Sequence, residues 1–131
     1  IPVDERGGTA ALKAGMRSLK QGACIGIFPE GRVSADGKLQ PPQGGVLFLA
    51  QRSGAPVVPV ALKGNYAAFP RSAWFPRPLK ITVIYGKPFV VGKELSREQA
   101  AALTDQLMVD LAKMLEVEPP LKVVKAEEAE K

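Results

Sequence analysis

The chain has 131 residues, 18 Lys+Arg against 13 Asp+Glu, one cysteine and no histidine. Its length suits a single domain with a real core, and 46% hydrophobic with 24% charged residues is the balance of a soluble globular protein. Pervasive disorder, a collagen-like repeat and a disulfide scaffold are excluded, as is any chemistry in which these residues supply a histidine; a zinc site is short of ligands.

In chain order, residues 1–4 (IPVD) read as the end of a strand. Because the chain starts with Ile1 and not Met, it reads as a fragment. Thr9 is placed to cap a helix running to about Gln21, with Leu12, Met16 and Leu19 on one face and Gly22 as its stop. Ala23–Phe28 is a short apolar run that predicts a buried strand, with Cys24 as a small buried hydrophobe. Pro29–Gln43, rich in Gly, Pro and polar residues, predicts a loop. Val46–Arg52 reads as a short helix ended by Gly54. Pro56–Leu62 and Lys80–Tyr85 read as two more strands. Ser96 and Gln99 form a capping-box pattern that opens a helix to about Glu116, with Leu103, Leu107, Leu111 and Leu115 on one stripe.

Strands alternating with helices predict an α/β fold, a mainly parallel sheet flanked by helices. Residues 1–117 form its body, and residues 118–131 read as a poorly ordered tail of mixed charge behind Pro119-Pro120. Ligands of such sheets bind at the carboxyl ends of strands, which directs attention to the loop after Phe28 and to Lys63 after Leu62. No apolar run, Ala55–Leu62 included, reaches the roughly 18–20 residues of a transmembrane helix, and no signal peptide is visible.

Charge is uneven. Between Gly37 and Lys93 there is no acidic residue, while Lys38, Arg52, Lys63, Arg71, Arg77, Lys80, Lys87 and Lys93 are all basic. Such a face attracts anions: phosphate groups, anionic lipid headgroups or nucleic acid; the plainer reading is a solvated basic surface. Within Phe28-Pro29-Glu30-Gly31-Arg32-Val33-Ser34 a strand end delivers an acid, a glycine, an arginine and a hydroxyl. Glycine admits close backbone approach and arginine suits bidentate phosphate recognition. A surface turn with a local Glu–Arg contact is the competing reading. Tyr66, Phe69, Trp74 and Phe75 place half of the aromatics within ten residues, interleaved with Arg71 and Arg77. This pattern suits a membrane-interface anchor, or aromatics capping a core.

The stretch GIFPEGRVSADGKLQPPQGGVLFLAQRSGAPVVPVAL resembles the core of the glycerolipid acyltransferases, the family that includes 1-acylglycerol-3-phosphate acyltransferase. That family carries four ordered blocks: a His-x-x-x-x-Asp pair, a strand ending in arginine, F-P-E-G-T-R-S, and an apolar strand with V-P-V. Block two resembles Ile1–Arg6, with Asp4-Glu5 placing one extra residue before Arg6. Block three resembles Phe28–Ser34, with Arg32 and Val33 standing where Thr and Arg are usual. Block four resembles Val57–Leu62. Gly37-Lys38-Leu39 and Gly44-Gly45 match the linking features. The first block has no counterpart here.

The resemblance implies acyl transfer from acyl-CoA or acyl-carrier protein to the hydroxyl of a lysophosphatidic-acid-like acceptor in phospholipid synthesis. The histidine of block one acts as general base, so this chain alone is expected to be inactive. Acceptor phosphate binding is expected of Arg6, Glu30, Gly31 and Arg32, with Glu30 alternatively bonding acceptor hydroxyls. Membrane contact is expected of Tyr66, Phe69, Arg71, Trp74, Phe75 and Arg77. No metal or tightly bound cofactor and no nucleic-acid partner is implied. The expected setting is cytoplasmic, peripheral on the inner face of the membrane. A noncatalytic binding module for anionic lipid or nucleic acid is the reading from a different class.

Overall fold

A computed structural model describes residues 8–120; the expected strand at 1–4, Arg6 and most of the expected tail lie outside the described residues. The chain folds in the order α1 (Gly8–Lys20), α2 (Gly45–Ser53), β1 (Val60–Lys63), α3 (Asn65–Ala68), β2 (Thr82–Tyr85) and α4 (Arg97–Leu115). α1 turns its half-buried Leu12, Met16 and Leu19 inward, and Gly15 lets it approach Leu49 of α2 closely. It ends in a Schellman motif: the N–H of Gly22 donates to Leu19 O and that of Ala23 to Ser18 O, with Gly22 at φ +80°. α2 ends at Gly54, again left-handed.

α4 is entered through the capping box that the sequence predicts. Ser96 Oγ accepts from Gln99 N–H at 3.2 Å, and Gln99 Oε1 accepts from Ser96 N–H at 2.9 Å. The leucine stripe becomes the core. Leu107 and Leu111 are buried with Met108 and Ala61, and Ile84 and Met114 pack around them. A second cluster joins Leu47, Ala50 and Val91, and Phe89 borders both.

β1 and β2 pair antiparallel in the register Val60↔Tyr85, Leu62↔Val83. A further bridge joins Val57 and Phe89, so Val58-Pro59 opposes the three residues Gly86-Lys87-Pro88. This bulge accommodates two prolines, which cannot donate to the ladder. The ribbon lays Ala61 and Ile84 against α4, and leaves Val60, Leu62, Val83 and Tyr85 exposed on its other face.

Two expectations are corrected. The sheet described here has two strands, and they run antiparallel where a mainly parallel sheet was expected. The 18 residues between the strands return the chain beside β1 without a full helical crossover; α3 is a single turn. Ala23–Phe28 forms no strand, and Cys24, Ile27 and Phe28 are exposed. An apolar run becomes a strand only where a neighbouring backbone completes its ladder, and none does so among the described residues.

Candidate functional site

The 28–43 loop is built by its own side chains. Phe28 O accepts from Gly31 N–H at 3.1 Å, a tight turn with Pro29 at its first corner. Gly31 sits at φ +64°, and a Cβ there would lie 2.8 Å from Gln43 Cγ, so only glycine fits. The loop's two ends meet where Gln43 N–H donates to Pro29 O at 2.7 Å.

Within that frame Gln40 touches both charged residues of the block. Its backbone N–H donates to Glu30 Oε2 at 2.7 Å, and its side-chain oxygen accepts from Arg32 Nη2 at 3.3 Å. Half-buried Glu30 thus holds the loop with one carboxylate oxygen. Arg32 is exposed, has a single neutral partner and makes no salt bridge among the described residues, so its guanidinium is open to an anion. The local Glu–Arg contact weighed from the sequence is not what forms. Further along, Asp36 Oδ1 accepts from Ser34 Oγ and from Lys38 N–H, at 3.0 and 3.1 Å. These bonds, the Lys38 N–H first and the Ser34 hydroxyl second, hold the Asp36 carboxyl below its ordinary range.

Lys63, at the carboxyl end of β1, pairs through its exposed ammonium with Glu116, which ends α4 in a left-handed conformation at φ 59°. That hydrogen bond and charge lower the pKa of Glu116. Arg52 lies over the Phe48 ring at 5.9 Å.

Of the expected membrane-contact residues, Trp74 is 92% exposed and Phe75 77%, and Phe69, Arg71 and Arg77 are also exposed. They lie on a loop closed at its base by Arg77 N–H donating to Ala68 O at 2.6 Å. Tyr66 is exposed as well, at 38%, but lies in α3, outside that closed segment. Its hydroxyl donates to Ala35 O at 3.0 Å, and its ring covers Gly37. Sequence reasoning missed Gln40 and the Tyr66–Gly37 contact. The Asp36-Gly37 pair signals a turn, but no local pattern announces a partner roughly thirty residues away. No helix among the described residues is long and apolar enough to cross a membrane.

Comparison with known proteins gives a consistent set. The chain matches the Acyltransferase family over residues 1–63. It is 40% identical over 68 residues to the chloroplastic 1-acyl-sn-glycerol-3-phosphate acyltransferase BAT2 of Brassica napus, covering 52% of this chain and 20% of that one. It is 34% identical over 112 residues to the 1-acyl-sn-glycerol-3-phosphate acyltransferase of Bacillus subtilis, covering 82% of this chain and 53% of the relative. Its structure resembles the crystal structure of the 1-acyl-sn-glycerophosphate acyltransferase PlsC from Thermotoga maritima, with a TM-score of 0.72 and 29% identity, over 82% of this chain and 45% of the other. The chain therefore spans about half, or less, of these relatives.

Proposed function

We propose that the chain is a member of the glycerolipid acyltransferase family and carries the acceptor-binding part of a 1-acylglycerol-3-phosphate acyltransferase. The observation that carries this reading is the pre-braced 28–43 loop, with an exposed, unneutralised Arg32 in the block that resembles F-P-E-G-T-R-S. The acceptor is a lysophosphatidic-acid-like lipid whose phosphate Arg32 receives, and Arg6 is assigned the same task. The donor is acyl-CoA or acyl-carrier protein. A base outside these histidine-free residues takes the proton of the acceptor hydroxyl, whose oxygen attacks the thioester carbonyl. The C–S bond breaks, the thiol leaves, and the hydroxyl has become an ester. Holding the acceptor phosphate fixes the hydroxyl's place, which is where much of the rate of such a reaction originates.

Trp74, Phe75 and Phe69, with Arg71 and Arg77, are assigned to a peripheral contact with anionic lipid, on the inner face of the membrane. Exposed rings beside cations suit that interface, and the amphipathic substrate requires it. In a longer polypeptide that includes the His-x-x-x-x-Asp block, Cys24–Phe28 and the bare face of the ribbon gain neighbours. Their exposed apolar side chains support this. A thiol reagent tests it: Cys24 reacts readily in the 131-residue chain and is protected in the longer one. Equal reactivity in both removes the inference.

The function is tested by assaying this chain with acyl-CoA and lysophosphatidic acid beside that longer polypeptide. Losing a general base costs about 10²–10⁴-fold, so turnover is expected from the longer protein only. Acyl transfer by the 131 residues alone overturns the assigned mechanism.

A further inference from the structure

Two loops given separate tasks touch through one side chain. The aromatic loop begins at α3, a single turn pinned at both ends. Gly64, at φ +90°, enters it in such close approach to Lys80 that a Cβ would lie 2.6 Å from the Lys80 carbonyl oxygen. At the other end Ala68 is buried and its carbonyl accepts from Arg77 N–H. Motion of residues 69–77 as a unit therefore acts on α3, and Tyr66 lies on that turn. Its ring rests on Gly37, where a Cβ would be 2.6 Å from Tyr66 Cγ, and its hydroxyl holds Ala35 O. The residues it grips, 35–37, continue the loop that carries Glu30 and Arg32. They include Asp36, whose carboxylate organises Ser34 and Lys38.

We propose that Tyr66 is a positioning residue that couples the lipid-facing loop to the phosphate-binding loop, so that seating Trp74 and Phe75 in an anionic phospholipid surface orders residues 34–38. The proposal rests on the membrane contact assigned above. Its physical content is a short packed path: an inserted loop, one helical turn, one ring on a glycine, one hydrogen bond. Lipid contact restricts the first, and the restriction is felt at the last as lower conformational freedom. The acceptor loop then reaches its binding-competent form at the surface where the acceptor is found.

The test uses the 131-residue chain with vesicles of phosphatidylcholine containing phosphatidylglycerol, reading Trp74 fluorescence and amide hydrogen exchange at residues 35–38 together. In the unaltered chain the vesicles shift Trp74 to the blue and slow exchange at 35–38 by about fivefold or more. In Tyr66→Leu the blue shift remains and the slowing is lost. Tyr66→Phe keeps the ring over Gly37 and retains part of the slowing, which separates coupling from a general loss of folding. A shifted Trp74 with unchanged exchange in the unaltered chain overturns the coupling and leaves the membrane contact standing. Undiminished slowing in Tyr66→Leu removes Tyr66 from the path. A Trp74 that never shifts overturns the membrane contact and the coupling with it.

Discussion

The loops at 28–43 and 69–77 are opposites in construction. The first spends nearly every polar group on itself: Glu30 on Gln40, Ser34 and Lys38 on Asp36, Gln43 on Pro29. Its turns are braced from within, while the side chains of Arg32 and Lys38 are exposed and make no ion pair among the described residues. The second is closed at its base by backbone bonds, while Trp74 and Phe75 stand in solvent. Large rings left in water are unfavourable by the area they expose, and lipid relieves that. Under the proposed function, one loop suits recognition of a point charge and the other suits an extended surface.

That contrast predicts different failures. The largest effect is expected from Arg32→Ala in the longer enzyme. A charged hydrogen bond contributes about 1.5–3 kcal/mol, so the acceptor KM rises roughly ten- to hundred-fold, with donor KM little changed. Steady-state kinetics with each substrate varied in turn decide it; an unmoved acceptor KM makes Arg32 an ordinary surface residue. Trp74→Ala comes next. Removing a partly inserted indole weakens binding to phosphatidylglycerol-containing vesicles by about tenfold, measured by co-sedimentation, and the loss persists at high salt because it is apolar. A loss that vanishes with salt identifies the ring's role as electrostatic.

The smallest effect concerns pH and the 28–43 loop alone. The folded Asp36 carboxyl is held below its ordinary range. A depressed folded pKa contributes stability above the unfolded value, and this contribution is lost as pH falls through the folded one. Amide exchange at Ser34–Lys38, corrected for its intrinsic pH dependence, should therefore stay slow at neutral pH and quicken below about pH 4, the usual carboxylate range. Asp36→Asn removes the step, and residues 69–77 show none. An identical transition in both loops means global unfolding and erases the distinction.

Local signals made much of this legible in the sequence. The Ser96/Gln99 box, the stops at Gly22 and Gly54, the leucine stripe of α4 and the loop around Gly31 all follow from chemistry within one or two turns. What the sequence did not disclose is non-local. Whether Ala23–Phe28 pairs depends on a neighbouring backbone, which none of the described residues supplies, and the direction of β2 depends on how residues 64–81 return. Lys63 drew attention as a cation at a strand's end, and its partner, Glu116, is 53 positions away. Tyr66 looked like its aromatic neighbours because composition records a ring and not what it rests on.

The hydrogen bond from Arg77 to Ala68 has a consequence for the length of the segment it closes. A segment whose two ends are fastened together can be lengthened or shortened at little thermodynamic cost, since extra chain adds only a slowly growing closure entropy. Changes in the length of residues 69–77 therefore leave the buried Ala68, the ribbon and the core of α4 in place, while under the proposed coupling a change in how the segment seats is passed through α3 to Tyr66.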